Sequence, residues 1–346
     1  MGLNEIKTKA KNFALNSDLY TSHVEPMVTS HLTSIKDIAA KPDLFFSGHR
    51  ACAGCAPATV LRLLMKATRG PTIVTQATGC MEIVGSIYPY TSWGVPWLHT
   101  AFENAAANAS GIEAAIKALR KKGKIKQDHV DVIAIAGDGG TYDIGFQALS
   151  GAIERGHDFL FVLYDNEGYM NTGIQRSGAT PAGASTTTTP AGTAVLGKME
   201  KKKPITEIVL AHELDYVATA TPFHWKDFVT KVRKGLEVKG PAFLHVFAPC
   251  PRGWRTEPAK SISYSKLAVE TCIFPLWEAV NGKRVLSIPS KIYTLVPQKK
   301  KPIVDYFEGQ GRFRHLFKPE NKHVLDQIQE TTDARWKKLL SQCEHI

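Results

Sequence analysis

The sequence predicts a doubly wound, mainly parallel α/β sheet with helices on both faces. Three observations predict it. Short β-branched, charge-free runs recur between residues 70 and 250. Stretches with helical apolar spacing alternate with them. Most of the apolar runs stop on Gly, Asp, Asn or Cys, residues that make turns and sites. Strands this apolar are buried on both faces, and helices interleaved with them make βαβ units.

Residues 1–45 are polar and weakly periodic, and read as a loosely packed arm with one short helix. "APATVLRLLMKAT" (56–68) has a helical period, and "PTIVTQATGC" (71–80) is a strand running into Gly and Cys. An Ala-rich helix follows over 101–123, stopped by Gly123. "DVIAIAGDGG" (131–140) is a buried strand entering glycines, 144–156 a helix, and "DFLFVLYDNEG" (158–168) a second buried strand. After a Thr/Gly/Pro-rich loop (172–197) come a helix at 205–215, a strand at 216–222, a helix at 225–240 and a strand at 241–250. Residues 251–301 look irregular. The charged tail, 303–346, holds a helix near 320–341 and is expected to wrap a partner or the domain itself. The expected organisation is an arm (1–45), an α/β domain (46–280) and a C-terminal extension (281–346).

The chain has 346 residues, 43% hydrophobic and 22% charged, enough for one large domain or two smaller ones. The net charge of +11 suits anionic partners. Lysines bunch at Lys121, Lys122, Lys124 and Lys126, at Lys198 and Lys201–Lys203, and at Lys299–Lys301. They read as solvated faces and loops. No nucleic-acid module pattern is present. No run approaches the roughly 18 apolar residues of a membrane helix, and the N-terminus lacks a signal-peptide core, so a cytoplasmic protein is expected. Six cysteines in such a chain read as thiols or metal ligands.

Cys52 and Cys55 form a Cys-x-x-Cys pair just ahead of the 56–68 helix, where free N–H groups favour negative charge. Strand 72–77 ends near Cys80, and strand 242–248 near Cys250. Parallel strands gather functional loops at their carboxyl ends, so these four cysteines are placed to converge. Four thiolates suit structural zinc or a [4Fe–4S] cluster, and ligand type does not separate the two. Isolated third and fourth cysteines beside a second site favour the cluster. Cys272 and Cys343 have no companions and read as structural.

The second site is "GDGGTYDIG" with "DNEGYMNTG". Gly137, Gly139 and Gly140 allow close backbone approach, and the amides of Gly139 and Gly140 suit a diphosphate. Asp138 places a carboxylate beside it, which suits Mg²⁺. Asn166 offers an amide oxygen and Gly168 a carbonyl. Taken alone, GDG marks a turn; the Asn-bearing loop after the next strand raises its meaning. No dinucleotide fingerprint, Walker loop or nucleophile elbow is present. His49, His99, His157 and His245 read as ordinary histidines, and Ser177 and Thr186–Thr189 as part of a flexible lid.

Together, "GHRACAGCAPA", "QATGCMEIVGSIYPYTSWGVPWLHTAFENAAA", "GDGGTYDIGFQALSGAIERGHDFLFVLYDNEGYMNTGIQRS" and "FLHVFAPCPRGW" resemble the thiamine-diphosphate-binding β subunits of 2-oxoacid:ferredoxin oxidoreductases, above all the pyruvate type. The resemblance runs from about residue 45 to 280. It implies one [4Fe–4S] cluster on Cys52, Cys55, Cys80 and Cys250. It implies Mg²⁺ on Asp138, Asn166 and the Gly168 carbonyl, holding thiamine diphosphate. It places Asn171 near the reacting carbon and Thr172 near the diphosphate. The implied reaction takes pyruvate, coenzyme A and ferredoxin to acetyl-CoA, CO₂ and reduced ferredoxin, with other 2-oxoacids as alternatives. A partner α subunit would supply the thiamine-activating carboxylate, so neither Glu82 nor Glu103 is assigned that role. A ferredoxin-like domain on γ/δ subunits would relay electrons. Competing expectations are a non-redox thiamine enzyme, which leaves the cysteines unexplained, and a zinc-stapled binding subunit.

Overall fold

The computed structural model describes residues 34–343. Most of the expected arm lies outside them; within it stands α1 (Ile35–Ala40), started by a reciprocal Ser34–Asp37 cap. The chain continues through α2 (Ala56–Ala67), β1 (Thr72–Ala77), α3 (Cys80–Gly85), β2 (Trp97–Thr100), α4 (Ala105–Lys121) and β3 (Asp131–Gly137). A π-turn over Gly139–Asp143 leads into α5 (Phe146–Glu154) and β4 (Phe159–Asp165). Next come α6 (Ile205–Leu210), β5 (Tyr216–Ala220), α7 (Trp225–Glu237) and β6 (Pro241–Phe247). The last part holds α8 (Pro251–Trp254), α9 (Ser261–Glu270), β7 (Trp277–Val280), β8 (Lys283–Leu286), α10 (Ile288–Leu295), α11 (Ile303–Phe307) and α12 (Lys322–Gln342).

The eight strands form one sheet in the order β2-β1-β3-β4-β6-β5-β7-β8. The first six are parallel, and β7 runs antiparallel to both of its neighbours, β5 and β8. Alternation along the strands sends side chains to two cores. Ile133, Ile135, Leu160, Val162 and Leu244 meet α2 and α7 on one face. Ala134, Ala136, Phe161, Leu163 and Phe243 meet α4, α5 and the C-terminal segments on the other. Val60, Leu61 and Leu64 of α2 are fully buried, each contributing roughly 1.5–3 kcal/mol by leaving water.

Three expectations are corrected. Residues 251–301 are not irregular: they hold three helices and a hairpin that extends the sheet. Its strands are only four residues long, so periodicity is weak, yet the Asn281-Gly282 turn between them has positive φ at both residues (49° and 77°), the signature of a tight hairpin. The lysine group at 198–203 is not uniformly solvated, because Lys198 is buried and Lys202 is ion-paired inside. The 205–215 helix stops at Leu210. Both α3 and β2 were unforeseen, being too short to show a period. The tail packs on the domain itself, with Tyr306, Phe313, Leu316 and Trp336 in the shared core.

Candidate functional site

Strands β1, β3, β4 and β6 are consecutive in the sheet and parallel. Their carboxyl ends therefore lie along one rim, leading to Cys80, Asp138, Asn166 and Cys250. The sheet changes direction at β1, since β2 flanks it on one side and β3 on the other. Such a switch leaves a crevice outside the strand ends. A cavity of about 260 Å³ opens there, lined by Thr78–Cys80, Ile83, Phe102, Gly137–Gly140, Tyr164, Asn166 and Gly168–Thr172. It gathers every residue expected at the second site, and Cys80 with them.

At its floor three oxygen-bearing groups meet. One terminal atom of the Asn166 amide lies 2.9 Å from Asp138 Oδ1 and 2.9 Å from the Gly168 carbonyl oxygen. With nitrogen at that position, the amide donates to both. With oxygen there, the amide nitrogen turns toward Cys80 Sγ at 4.0 Å, and the three groups together present an oxygen donor set that a cation would satisfy. Neighbouring oxygens around Mg²⁺ bound at 2.0–2.1 Å stand about 2.9 Å apart in an octahedron, so the donor set and its spacing fit that ion. Asp138 is 2% exposed. Burial, reinforced by the negative Asp165, raises its carboxyl well above the ordinary range, while a hydrogen bond from Ser177 opposes this. A bound cation would offset that cost.

The glycines here are steric requirements. A Cβ on Gly139 would sit 2.1 Å from the Tyr169 ring, and one on Gly140 2.9 Å from the Phe102 carbonyl. Tyr169 is fixed in turn by its hydroxyl donating to Asp143 at 3.1 Å. Asn171 and Thr172 line the mouth and are exposed. The Thr172 hydroxyl bonds Gln175.

Cys52 is exposed, and Cys55, Cys80 and Cys250 are half-buried. Burial pushes Cys55 to about 12, with the charges of Cys250 and Cys52 adding. Burial pushes Cys80 to about 12 as well, with Cys250, Cys55 and Asp138 adding. The four thiols thus sense one another across the rim. Cys250 Sγ accepts the backbone N–H of Gly253 at 3.3 Å. Ionised to thiolates, sulphurs this buried would need a cationic centre beside them. Cys272 and Cys343 are buried elsewhere, in the core shared with the C-terminal segments.

Behind the cavity lies a charged cluster that the sequence did not reveal. Lys202 pairs with Asp165 at 2.7 Å and Glu167 at 2.9 Å. Arg312 pairs with Glu167 at 2.6 Å. Asp165 also accepts from Tyr142 at 2.8 Å and bonds His245 at 2.7 Å. Burial alone would raise Asp165, yet Lys202 and His245 hold it below its ordinary value. Ser177, read as part of a lid, is buried against Asp138. The only sequence signal for the cluster was two acids flanking Asn166, and nothing local pointed to Lys202 or Arg312.

A family model described as thiamine pyrophosphate enzyme, C-terminal TPP binding domain, matches residues 77–246. Pyruvate synthase subunit PorB of Methanocaldococcus jannaschii is 52% identical over 300 residues, 86% of this chain and 97% of that subunit. PorB of Thermotoga maritima is 52% identical over 299 residues, 85% of this chain and 90% of that subunit. Ketoisovalerate oxidoreductase subunit VorB of Pyrococcus horikoshii is 45% identical over 296 residues, 85% of this chain and 92% of that subunit. A solved 2-oxoglutarate:ferredoxin oxidoreductase from Magnetococcus marinus shares the fold with a TM-score of 0.52 and 20% identity, covering 70% of this chain and 84% of that one. The chain therefore belongs to the family of pyruvate synthase PorB subunits, thiamine-diphosphate-binding components of oxidoreductases that act on 2-oxoacids.

Proposed function

We propose that this chain is the β subunit of a pyruvate:ferredoxin oxidoreductase, carrying thiamine diphosphate with Mg²⁺ and one [4Fe–4S] cluster. The observation that carries the reading is the rim itself: four adjacent parallel strands end toward Cys80, Asp138, Asn166 and Cys250, and Cys80 shares one crevice with the Asp138–Asn166–Gly168 oxygens. In this reading Asp138, Asn166 and the Gly168 carbonyl hold the ion. The amides of Gly139 and Gly140 face the diphosphate, Gly137 sets the turn, and Thr172 stands at the mouth. Asn171 orients the substrate through its side chain. Cys52, Cys55, Cys80 and Cys250 hold the cluster.

Thiamine diphosphate supplies an electron sink for loss of CO₂, and the cluster a one-electron acceptor beside it. The chain's own residues bind, space and shield these groups. The activating carboxylate comes from an α subunit, onward electron transfer from γ/δ subunits with a ferredoxin-like domain to external ferredoxin, and the acyl group passes to coenzyme A. The chain is inactive alone and works in the cytoplasm, in either direction. No helix among the described residues is long and apolar enough to cross a membrane.

Anaerobic purification tests this. Brown protein with about four irons per chain, retaining thiamine diphosphate only with Mg²⁺, supports it; colourless protein with one zinc overturns the cluster. Among the described residues no three His, Cys, Asp or Glu side chains are placed to hold a single metal ion. A second substrate reading rests on the ketoisovalerate relative: the assembled complex should be assayed against a panel of 2-oxoacids, including 2-oxoisovalerate, oxalate and aryl 2-oxoacids.

A further inference from the structure

Glu167 stands between two of the proposed Mg²⁺ ligands and holds a left-handed backbone, φ 67°. A residue with a side chain adopts that conformation only where its surroundings over-determine it. They do so here. The Glu167 carbonyl accepts from Thr180 Oγ1 at 2.8 Å. One carboxylate oxygen is held by Lys202 at 2.9 Å and the other by Arg312 at 2.6 Å. Arg312 comes from the C-terminal extension, is 2% exposed, and its other face lies 4.0 Å from the Trp254 ring. Trp254 is the last residue of the short helix that Cys250 caps. Its indole N–H donates to the Asn166 carbonyl at 2.9 Å. The guanidinium thus touches the magnesium loop along one edge and the cysteine turn along one face. Its charge also reaches Cys250.

We propose that Arg312 is a positioning residue that locks the Asn166–Gly168 loop to the Cys250 turn, so that the C-terminal extension sets the spacing of the two cofactor sites. This rests on the functional reading above and assigns the extension a part in it. The geometry explains why an ion pair is buried at this point. Breaking it leaves the buried Asp165 and Glu167 carboxylates to share Lys202 alone, a charge deficit within one residue of two ligands.

The test uses the assembled oxidoreductase carrying Arg312→Met. The Mg²⁺ concentration for half-maximal thiamine diphosphate retention should rise by about tenfold or more, as when the partners of metal ligands are lost. Added Mg²⁺ should restore retention. The midpoint potential of the cluster should fall, because a positive charge is lost beside it. Arg312→Lys keeps the charge without the planar stack and should fall between. If Arg312→Met does not assemble, Glu167→Gln removes the ion pair from the other side and should raise the Mg²⁺ requirement alike. A Mg²⁺ requirement and potential indistinguishable from the unaltered complex, in whichever variant assembles, overturn the inference. An unaltered complex that retains no thiamine diphosphate, or contains no iron, instead overturns the functional reading, and the inference falls with it.

Discussion

Asp138 and Cys52 both serve the rim above the sheet, yet they are built in opposite ways. Asp138 is 2% exposed, its carboxylate held by Ser177 and facing the Asn166 amide. Cys52 is exposed, on a loop whose tightest fit is Gly54 against Pro258. The oxygen corner is assembled before any ion arrives, since Asp138 is buried and held by Ser177, and only the Asn166 amide has its orientation to set. The cysteine loop has few such restraints, so its final geometry depends on what its sulphurs bind. The difference teaches that the two proposed cofactors ask different things of the fold: one needs a preformed corner, the other a set of reachable thiols.

The sharpest way to break that contrast is Asp138→Ala. It should abolish Mg²⁺-dependent thiamine diphosphate retention while leaving the brown colour, measured by cofactor content after gel filtration and by visible absorbance. Cys250→Ala should do the reverse, dropping iron well below about four per chain while circular dichroism reports an intact sheet. Unchanged iron would remove Cys250 from the ligand set. Gly139→Ala should follow in size. Its methyl meets the Tyr169 ring at 2.1 Å, an overpacking cost of about 1–3 kcal/mol, read as a lowered melting temperature and weaker cofactor retention.

A pH series sharpens the same point more gently. Burial raises the Asp138 carboxyl, so its proton persists to higher pH than on a free aspartate and competes with the ion. Mg²⁺ affinity should therefore keep rising above the ordinary carboxylate range; affinity flat across that range would show that the corner carries no such proton. The smallest effect belongs to Cys272→Ser. Its thiol is buried away from the rim, so iron content should not change.

The sheet was legible because β3, β4 and β6 are mostly apolar runs and β1 a β-branched one, with Asp138 directly after β3 and Cys80 three residues beyond β1. The parallel register then obliges them to share an edge. Less legible were features set by distant contacts. Lys202 looks like any surface lysine until Asp165 and Glu167 are placed beside it. Arg312 lies 145 residues from its partner in the chain. The hairpin at Asn281-Gly282 had a local turn signal, but its four-residue strands gave no period to support it.

Four consecutive residues at the end of β4 each have their own partners: Asp165 has Lys202 and His245, Asn166 has Asp138, Glu167 has Lys202 and Arg312, and Gly168 joins the oxygen corner. A single insertion or deletion there would shift every one of them to the wrong neighbour at once. An added residue is better borne by an outlying connection such as 186–195, most of which is not buried.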